Sequence, residues 1–247
     1  MEKITILGSA NAVAKKDQQN THLLIETENR KILVDCGNHT AASLGRAGVD
    51  INEITDLILT HFHADHVGSL PLLIMDMWLE KRTAPLNIYG LAITLEKAQK
   101  LLELFDWHKW ANMYPVNFIT ANDHSETLLI NDEFVKLTAA PVVHLIPTIG
   151  IRVEFSSGSK TVYTCDTEPC AAVEALALGA DNLLQEAAGP GKGHTSPLQA
   201  AEVAARCGVK RLVLIHFESR AGEEQLLAQT RGVFNGRVDL SDDGMVL

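Results

Sequence analysis

The hydrophobic and polar positions of the first third of the chain follow the pattern of short β-strands. Apolar runs predict strands at Ile4–Leu7, His22–Glu26 and Ile32–Asp35, and the polar Glu28–Arg30 predicts a hairpin turn between the last two. A helix is predicted over Ala41–Ala47, and Gly48 is placed to end it.

The rest of the chain adds strands first and then an alternation of helices and strands. Asp56–Thr60 predicts a strand, and Val67–Trp78 predicts a helix with an apolar stripe at helical spacing. The other predicted strands are Leu86–Tyr89, Val116–Ile119, Phe134–Ala139, Ile149–Phe155, Thr161–Thr164, Asn182–Gln185 and Leu212–Ile215. The other predicted helices are Thr94–Phe105, Ala171–Leu178, Pro197–Cys207 and Glu223–Thr230.

This order of elements predicts an α/β protein in which stacked sheets lie inside helical layers. No repeat of 20–50 residues and no low-complexity linker interrupts the chain. We therefore expect one domain over residues 1–247.

The hexapeptide His61–His66 places three imidazoles and one carboxylate directly after the strongly apolar run Leu57–Thr60. Imidazole nitrogen and carboxylate oxygen suit zinc, or manganese and iron, as ligands. The spacing therefore predicts a strand that presents metal ligands at its C-terminal end.

Three more polar residues each follow an apolar strand: His144, Asp166 and His216. Strand ends can converge on one site while the scaffold stays rigid. The complete set of candidate ligands is His61, His63, Asp65, His66, His144, Asp166 and His216. Seven ligands exceed the need of one tetrahedral ion, and they suit two ions that share a bridging carboxylate and a hydroxide.

The remaining histidines carry no such pattern. His22, His39, His108 and His124 lie in turn-like or amphipathic surroundings, and we expect them to have no role in the chemistry. His22 and His39 are the first exceptions to consider.

Composition narrows the range of partners. The formal net charge is −10 and the isoelectric point is near 5.4, which disfavours a long nucleic acid, since binding of phosphates relies on cationic side chains. No segment reaches the roughly 20 apolar residues of a membrane span, and the N-terminus lacks the apolar core of a signal peptide. Cys36, Cys165 and Cys207 lie in or beside apolar runs and are expected to be buried, reduced thiols, which favours a cytoplasmic location.

The segment Thr60–Gly68 resembles the signature of the metallo-β-lactamase superfamily. His144, Asp166 and His216 are similar to the later ligand motifs of that superfamily in order and flanking residues. The resemblance implies a four-layer αβ/βα sandwich with two metals at one edge between the sheets. In the resulting hypothesis the first metal is held by His61, His63 and His144, the second by Asp65, His66 and His216, and Asp166 bridges the two.

A second set of residues resembles ribonuclease Z and its phosphodiesterase relatives. The set comprises Leu7–Ser9, Leu33–Gly37, Gly193–Ser196 and Leu212–Arg220. The resemblance implies that His194 is not a ligand but protonates or stabilises the leaving oxygen, and that Glu186 supports it. Asp65, His194 and Glu186 are the residues expected to act in catalysis.

The chain departs from ribonuclease Z in two places. Only 21 residues separate His144 from Asp166, which leaves no room for the long arm with which ribonuclease Z grips transfer RNA. The family's His-Glu-Ala-Thr motif stands here as Gln185–Ala188, which keeps the glutamate but not its neighbours. Relatives without the arm include small-molecule cyclic phosphodiesterases.

We therefore predict a hydrolase of a small phosphodiester with two divalent metals, zinc or alternatively Mn²⁺ or Fe²⁺, and a metal-bridging hydroxide as nucleophile. A lactonase, thioesterase or arylsulfatase stays open, because the same ligands serve those reactions and only the His194 motif argues against them. An armless transfer-RNA 3′-end endonuclease and a non-catalytic metal-binding accessory protein stay open as well. The apolar surface of Leu70–Trp78 predicts either a homodimer interface or a core helix. The glycine-rich Gly189–Gly193 is either an active-site lid, with Lys192 near a phosphate, or a plain connection.

Overall fold

The computed structural model of the chain describes residues 2–218 and 222–247. Two mixed β-sheets account for the strands within these residues. The first sheet has the order β1 (Lys3–Gly8), β2 (His22–Glu26), β3 (Lys31–Val34), β4 (Asp56–Ile58), β5 (Leu86–Leu91) and β6 (Val116–Ala121). The second has the order β13 (Arg237–Leu240), β12 (Arg211–Ile215), β11 (Asn182–Glu186), β10 (Lys160–Tyr163), β9 (Thr148–Phe155), β8 (Val135–Val142) and β7 (Thr127–Asn131).

Each sheet is antiparallel on one side and parallel on the other. In the first sheet β1, β2 and β3 pair antiparallel, and β3 to β6 pair parallel. In the second sheet β7 to β10 pair antiparallel, and β10 to β13 pair parallel. The parallel connections carry helices, as parallel strands require: α1 (Thr40–Arg46), α2 (Ala64–Val67), α3 (Leu70–Leu79), α4 (Ala92–Glu103), α5 (Ala171–Ala177), α6 (Pro197–Arg206) and α7 (Glu223–Thr230).

Three hydrophobic layers separate four layers of secondary structure. The central layer joins the facing sides of the two sheets, with Ile6 and Ile25 from the first and Ile151 and Val213 from the second. A second layer packs α1, α3 and α4 against the first sheet, and a third packs α5 and α6 against the second. The αβ/βα sandwich predicted from the sequence is confirmed.

Some predicted elements need correction. The helix predicted over Val67–Trp78 is two helices, α2 and α3, because the chain turns at Gly68 and Ser69. The strand predicted over Asp56–Thr60 ends at Ile58. Strands β7 and β13 were not predicted.

The cysteines behave as the sequence indicated. Cys36, Cys165 and Cys207 are buried, and each is a free thiol. Among the described residues, no helix is long and apolar enough to cross a membrane.

Candidate metal centre

The candidate ligands follow four strand ends, on loops and, for Asp65 and His66, in the short helix α2. His61–His66 follows β4 of the first sheet, while His144, Asp166 and His216 follow β8, β10 and β12 of the second. Strands β8, β10 and β12 run in the same direction, so their carboxyl ends share one edge of the sheet. The structure therefore brings residues from both sheets together, at the ends of largely buried strands.

The first group comprises His61, His63, His144 and Asp166, whose potential ligand atoms all lie within 4.8 Å of one another. Nδ1 of His63 lies 3.0 Å from Nε2 of His61 and 3.3 Å from Nε2 of His144. Two nitrogens bound at the zinc–imidazole distance on a tetrahedral ion are about 3.3 Å apart. The spacing of these nitrogens fits one shared cation.

The second group comprises Asp65, His66 and His216. Oδ2 of Asp65 lies 3.5 Å from Nε2 of His66 and 3.5 Å from Nε2 of His216. Nε2 of His66 is fully buried and has no hydrogen-bond partner among the described residues. A buried polar atom without a partner is costly unless something binds it, so this nitrogen also fits a cation.

Asp166 connects the two groups. Its Oδ2 lies 3.9 Å from Nε2 of His61, and its Oδ1 lies 3.6 Å from Nε2 of His66. Burial acts to raise the pKa of Asp166, but His216 and His66 hold that pKa well below its ordinary value. Its carboxylate is therefore ionised and faces both groups.

The protonation of the first group suits a metal. Burial lowers the pKa of His61 well below its ordinary value and also lowers the pKa of His63 and of His144. All three rings are therefore neutral near pH 7, which is the form of imidazole that binds a metal.

A buried carboxylate that sequence reasoning did not assign to the site organises ligands in both groups. Asp35, fully buried after β3, accepts a hydrogen bond from Nδ1 of His66 at 2.8 Å. It also accepts from the backbone N–H and the hydroxyl of Thr60, at 2.8 and 2.7 Å. Nδ1 of His61 lies 3.1 Å from that same hydroxyl, so Asp35 directs the Nε2 atoms of both His61 and His66 inward.

The only sequence signal for Asp35 is that it lies in Leu33–Gly37, one of the segments that resemble ribonuclease Z. Its backbone has φ of 63°, a conformation that is uncommon for residues other than glycine. The position of its side chain depends on the pairing of β3 with β4, which no local pattern encodes.

The glycine-rich loop Gly189–Gly193 positions a ligand. Nδ1 of His144 donates to the backbone oxygen of Gly193 at 2.7 Å, and the backbone N–H of Gly193 donates to Glu168 at 2.8 Å. Gly193 has φ of +81°, and a Cβ there would lie 2.9 Å from Nδ1 of His144. The loop is therefore a support for His144, while Lys192 is exposed and does not line the cleft.

His194 and Glu186 form a pair beside the two groups. Nδ1 of His194 donates to Oε1 of Glu186 at 2.8 Å. Glu186 is fully buried, and it also accepts from the backbone N–H groups of Thr167 and Ala188. The ring of His194 lies 5.0 Å from that of His144, measured between centroids.

The electrostatics of this pair favour a cationic imidazole. The hydrogen bond to Glu186 raises the pKa of His194, against the opposing effect of partial burial. Burial raises the pKa of Glu186, while the hydrogen bond from His194 opposes that rise. Helix α6 begins shortly after His194, with Ser196 as its N-cap and Pro197 in its first turn. His194 does more than precede this helix, because its ring lines the cleft.

The cleft itself is small and open to solvent. Its volume is about 330 Å³, and its lining residues are Asn11, Ala12, His63, Ala64, Asp65, Asp166, Ala188, His194 and His216. A larger cavity of about 560 Å³, between β1 and α1, contains none of the candidate ligands.

The other histidines lie outside the two groups. His22 is fully buried with Nδ1 on the backbone oxygen of Asn20, and burial lowers its pKa to about 4. His39 precedes α1, and His108 and His124 are exposed. Ser219 and Arg220, which contributed to the resemblance, lie outside the described residues.

Comparison with known proteins agrees with this geometry. The family described as Anti-Pycsar protein Apyc1 matches residues 2–232. A ribonuclease Z of Mycobacterium avium (strain 104) is 31% identical over 273 aligned positions, which cover 98% of this chain and 96% of the relative.

Solved structures share the fold. The metallo-β-lactamase fold protein YhfI from Bacillus subtilis superposes with a TM-score of 0.85 at 21% identity, covering 100% of this chain and 98% of its own. The short form of human tRNase Z (ELAC1) superposes with a TM-score of 0.78 at 26% identity, and the superposition covers 99% of this chain and 98% of the human chain. The chain therefore belongs to the Anti-Pycsar protein Apyc1 family and is a metal-dependent hydrolase of the ribonuclease Z-like branch of the metallo-β-lactamase superfamily.

Proposed function

We propose that this chain hydrolyses a small phosphodiester with the help of two divalent cations. His61, His63 and His144 hold the first cation, Asp65, His66 and His216 hold the second, and Asp166 is shared between them. The short nitrogen–nitrogen distances in the first group and the orphaned Nε2 of His66 in the second support this assignment. Two cations at such a site supply water activation and Lewis-acid stabilisation of phosphoryl charge.

The chain's own contribution to bond cleavage comes from His194. A departing alkoxide is a poor leaving group, and a proton delivered to it accelerates departure by about 10²–10⁴. His194 has its Nδ1 committed to Glu186, which leaves Nε2 as the atom that can donate a proton into the cleft. Glu186 keeps this ring cationic and fixes its orientation.

The single observation that carries the proposal is this buried-carboxylate–histidine pair at the cleft wall. The pair is similar to that of ribonuclease Z and its phosphodiesterase relatives, where it serves the leaving oxygen, and acyl-transfer enzymes of this fold do not require it. A lactonase, thioesterase or arylsulfatase is therefore the weaker candidate, and a non-catalytic accessory role is weaker still.

The connection between His144 and Asp166 supports a small substrate. Strands β8 and β9 are joined by a short turn from Val142 to Thr148, and β9 and β10 by another from Phe155 to Lys160. The alignment with the Mycobacterium avium ribonuclease Z spans 273 positions, more than the 247 residues of this chain, so that relative has segments absent here. The 21 residues between His144 and Asp166 leave no room for a long arm in this region, and the net charge of −10 also disfavours a long nucleic acid.

Ribonuclease activity is the second candidate, and the 31% identity to a ribonuclease Z over almost the whole chain favours it. It differs from the first in the size of the substrate and uses the same site. Cleavage of a precursor transfer RNA at physiological salt would establish it.

We also propose the metal, the cellular location, the oligomeric state and the domain organisation of the enzyme. Zinc is the expected metal, since imidazole and carboxylate ligands at tetrahedral spacing suit it. Free buried thiols support a cytoplasmic location. The exposed Leu72 and Leu79 of α3 support a homodimer, and three continuous hydrophobic layers support one domain over residues 1–247.

Three chromogenic substrates test the proposal: bis-p-nitrophenyl phosphate, p-nitrophenyl sulfate and an aromatic lactone. The zinc-loaded enzyme is expected to hydrolyse the phosphodiester with the highest kcat/KM. Faster turnover of the lactone or the sulfate would assign the site to the other ester classes. Stoichiometric metal binding without turnover of any ester would support the accessory role.

A further inference from the structure

We infer that Asn11 recognises the phosphodiester group, by donating a hydrogen bond from its side-chain Nδ2 to a non-bridging phosphoryl oxygen of the substrate. The inference rests on the proposed function and adds a substrate-binding residue to the same site. Asn11 lies in the loop between β1 and β2 and lines the cleft together with His63, Asp65 and His216. It belongs to neither ligand group.

The hydrogen bonds of Asn11 to the described residues leave its side-chain NH₂ group free. Its Oδ1 accepts from the backbone N–H of Val13 at 3.0 Å, and its backbone oxygen accepts from Nδ2 of Asn20 at 2.7 Å. The first contact fixes which way the amide faces, as in an Asx turn. Within the described residues, no group accepts a hydrogen bond from Nδ2 of Asn11.

The loop holds this amide in place beside the second ligand group. Ala10 pairs with Asn20 on one side and with Phe217 on the other, and its backbone oxygen accepts from the hydroxyl of Thr21 at 2.8 Å. The backbone N–H of His216 donates to the oxygen of Ser9 at 3.0 Å. The segment that carries Asn11 is thus tied to the segment that carries a candidate ligand, and the donor is positioned before any substrate arrives.

The cleft needs such a donor. A phosphodiester presents two non-bridging oxygens that share a negative charge, and each accepts hydrogen bonds. The carboxyl groups of Asp65 and Asp166 in the cleft carry no N–H donor, and His194 is committed to the leaving oxygen. Asn11 supplies a donor from the loop between β1 and β2, and its neighbour Ala12, which also lines the cleft, has a small side chain.

Two variants separate recognition from a structural role. Asn11→Ala removes both the donor and the contact to Val13, whereas Asn11→Asp keeps the acceptor that holds the turn and replaces the donor by a negative charge. A hydrogen bond to a charged group corresponds to roughly a 10- to 100-fold change in kcat/KM. We expect a loss of about that size for Asn11→Ala with bis-p-nitrophenyl phosphate and a larger loss for Asn11→Asp.

The affinity of the zinc-loaded protein for inorganic phosphate gives a second readout that does not depend on turnover. It should fall in the same order, with the aspartate variant the weaker binder. Asn122 supplies matched controls, because its Oδ1 also accepts backbone N–H groups in a turn, from His124 and Ser125, but lies outside the cleft. Asn122→Ala and Asn122→Asp should leave both readouts unchanged.

The outcomes distinguish the inference from the function on which it rests. If the wild-type enzyme leaves phosphodiesters intact, the proposed function and the inference both fail. If the wild type is active but the aspartate variant matches it in kcat/KM and in phosphate affinity, only the inference fails. In that case a loss confined to Asn11→Ala would assign Asn11 to holding the turn.

Discussion

Asp35→Asn is the substitution that most directly probes how the site is organised. It removes a negative charge that accepts hydrogen bonds from His66 and from two groups of Thr60, at 2.7–2.8 Å. The side chain is fully buried, so no water can replace the lost interactions. The asparagine NH₂ would also face hydrogen-bond donors and would leave at least one of them unpaired.

The expected magnitude follows from that environment. Removing one partner of a buried charged pair costs about 3–5 kcal/mol, and an amide that keeps one acceptor oxygen should cost about 3 kcal/mol. For a chain of this size the melting midpoint should then fall by roughly 6–12 °C. Because Asp35 orients His66 directly and His61 through Thr60, metal affinity should fall about 10- to 100-fold.

Differential scanning calorimetry and chelator competition measure the two effects. Asp50→Asn is the control, because Asp50 caps an exposed 3-10 turn through the backbone N–H of Asn52. It should cost no more than about 1 kcal/mol and should leave metal affinity unchanged. If Asp35→Asn retains the melting midpoint and the metal affinity of the wild type, the carboxylate does not organise the ligands and this reasoning is wrong.

Three further substitutions test other parts of the site. His194→Ala should retain its metals but lower kcat by about 10²–10⁴ with a small cyclic phosphodiester, whose leaving oxygen is an alkoxide, while the exposed His108→Ala should not; unchanged kcat in the first variant would exclude the proton-donor role. Glu186→Gln should move the alkaline limb of the pH profile of kcat to lower pH, because His194 donates its proton in the protonated form and Glu186 raises the pKa of His194. An alkaline limb at the wild-type pH would contradict this pairing. Gly193→Ala should lose about 1–3 kcal/mol of stability and, by chelator competition, bind metal more weakly, because a Cβ there would press on the ring of His144. In Gly191→Ala the new Cβ meets open space, so stability and metal affinity should stay unchanged. Equal behaviour of the two variants would show that the loop is a plain connection.

The sequence predicted stacked sheets inside helical layers because most core strands are short apolar runs bounded by polar turns, and the resemblance implied the four-layer order. It predicted that the seven candidate ligands would meet because each follows such a run, and the structure does bring them together. The two strands that escaped prediction lie at the edges of the second sheet, although β7 contains the apolar run Leu128–Ile130. β7 is partly exposed, and β13 is a polar edge strand with its first residue, Arg237, exposed.

The break between α2 and α3 also has a physical cause that the apolar stripe hides. A Cβ on Gly68 would lie 2.5 Å from the backbone oxygen of Ala64 and 2.9 Å from that of Gly37. Ser69 then donates to the backbone oxygen of Cys36. The chain therefore turns where two distant segments touch, and hydrophobic periodicity carries no information about such a contact.

The same limit applied to the residues that support the ligands. Asp35 and Gly193 act through hydrogen bonds to residues 31 and 49 positions away, in backbone conformations with positive φ. Asn11 lies in a loop without regular pattern. Ligand types can be read from a sequence, whereas the groups that aim them depend on how two sheets and their loops are assembled.

The most direct test of the account is a titration of the chelator-treated protein with Zn²⁺, followed by hydrolysis of bis-p-nitrophenyl phosphate. Turnover should be absent without metal, and the rate should rise until two equivalents of Zn²⁺ per chain have been added. A rate that is independent of added metal, or that is complete at one equivalent, would contradict a site built for two cations.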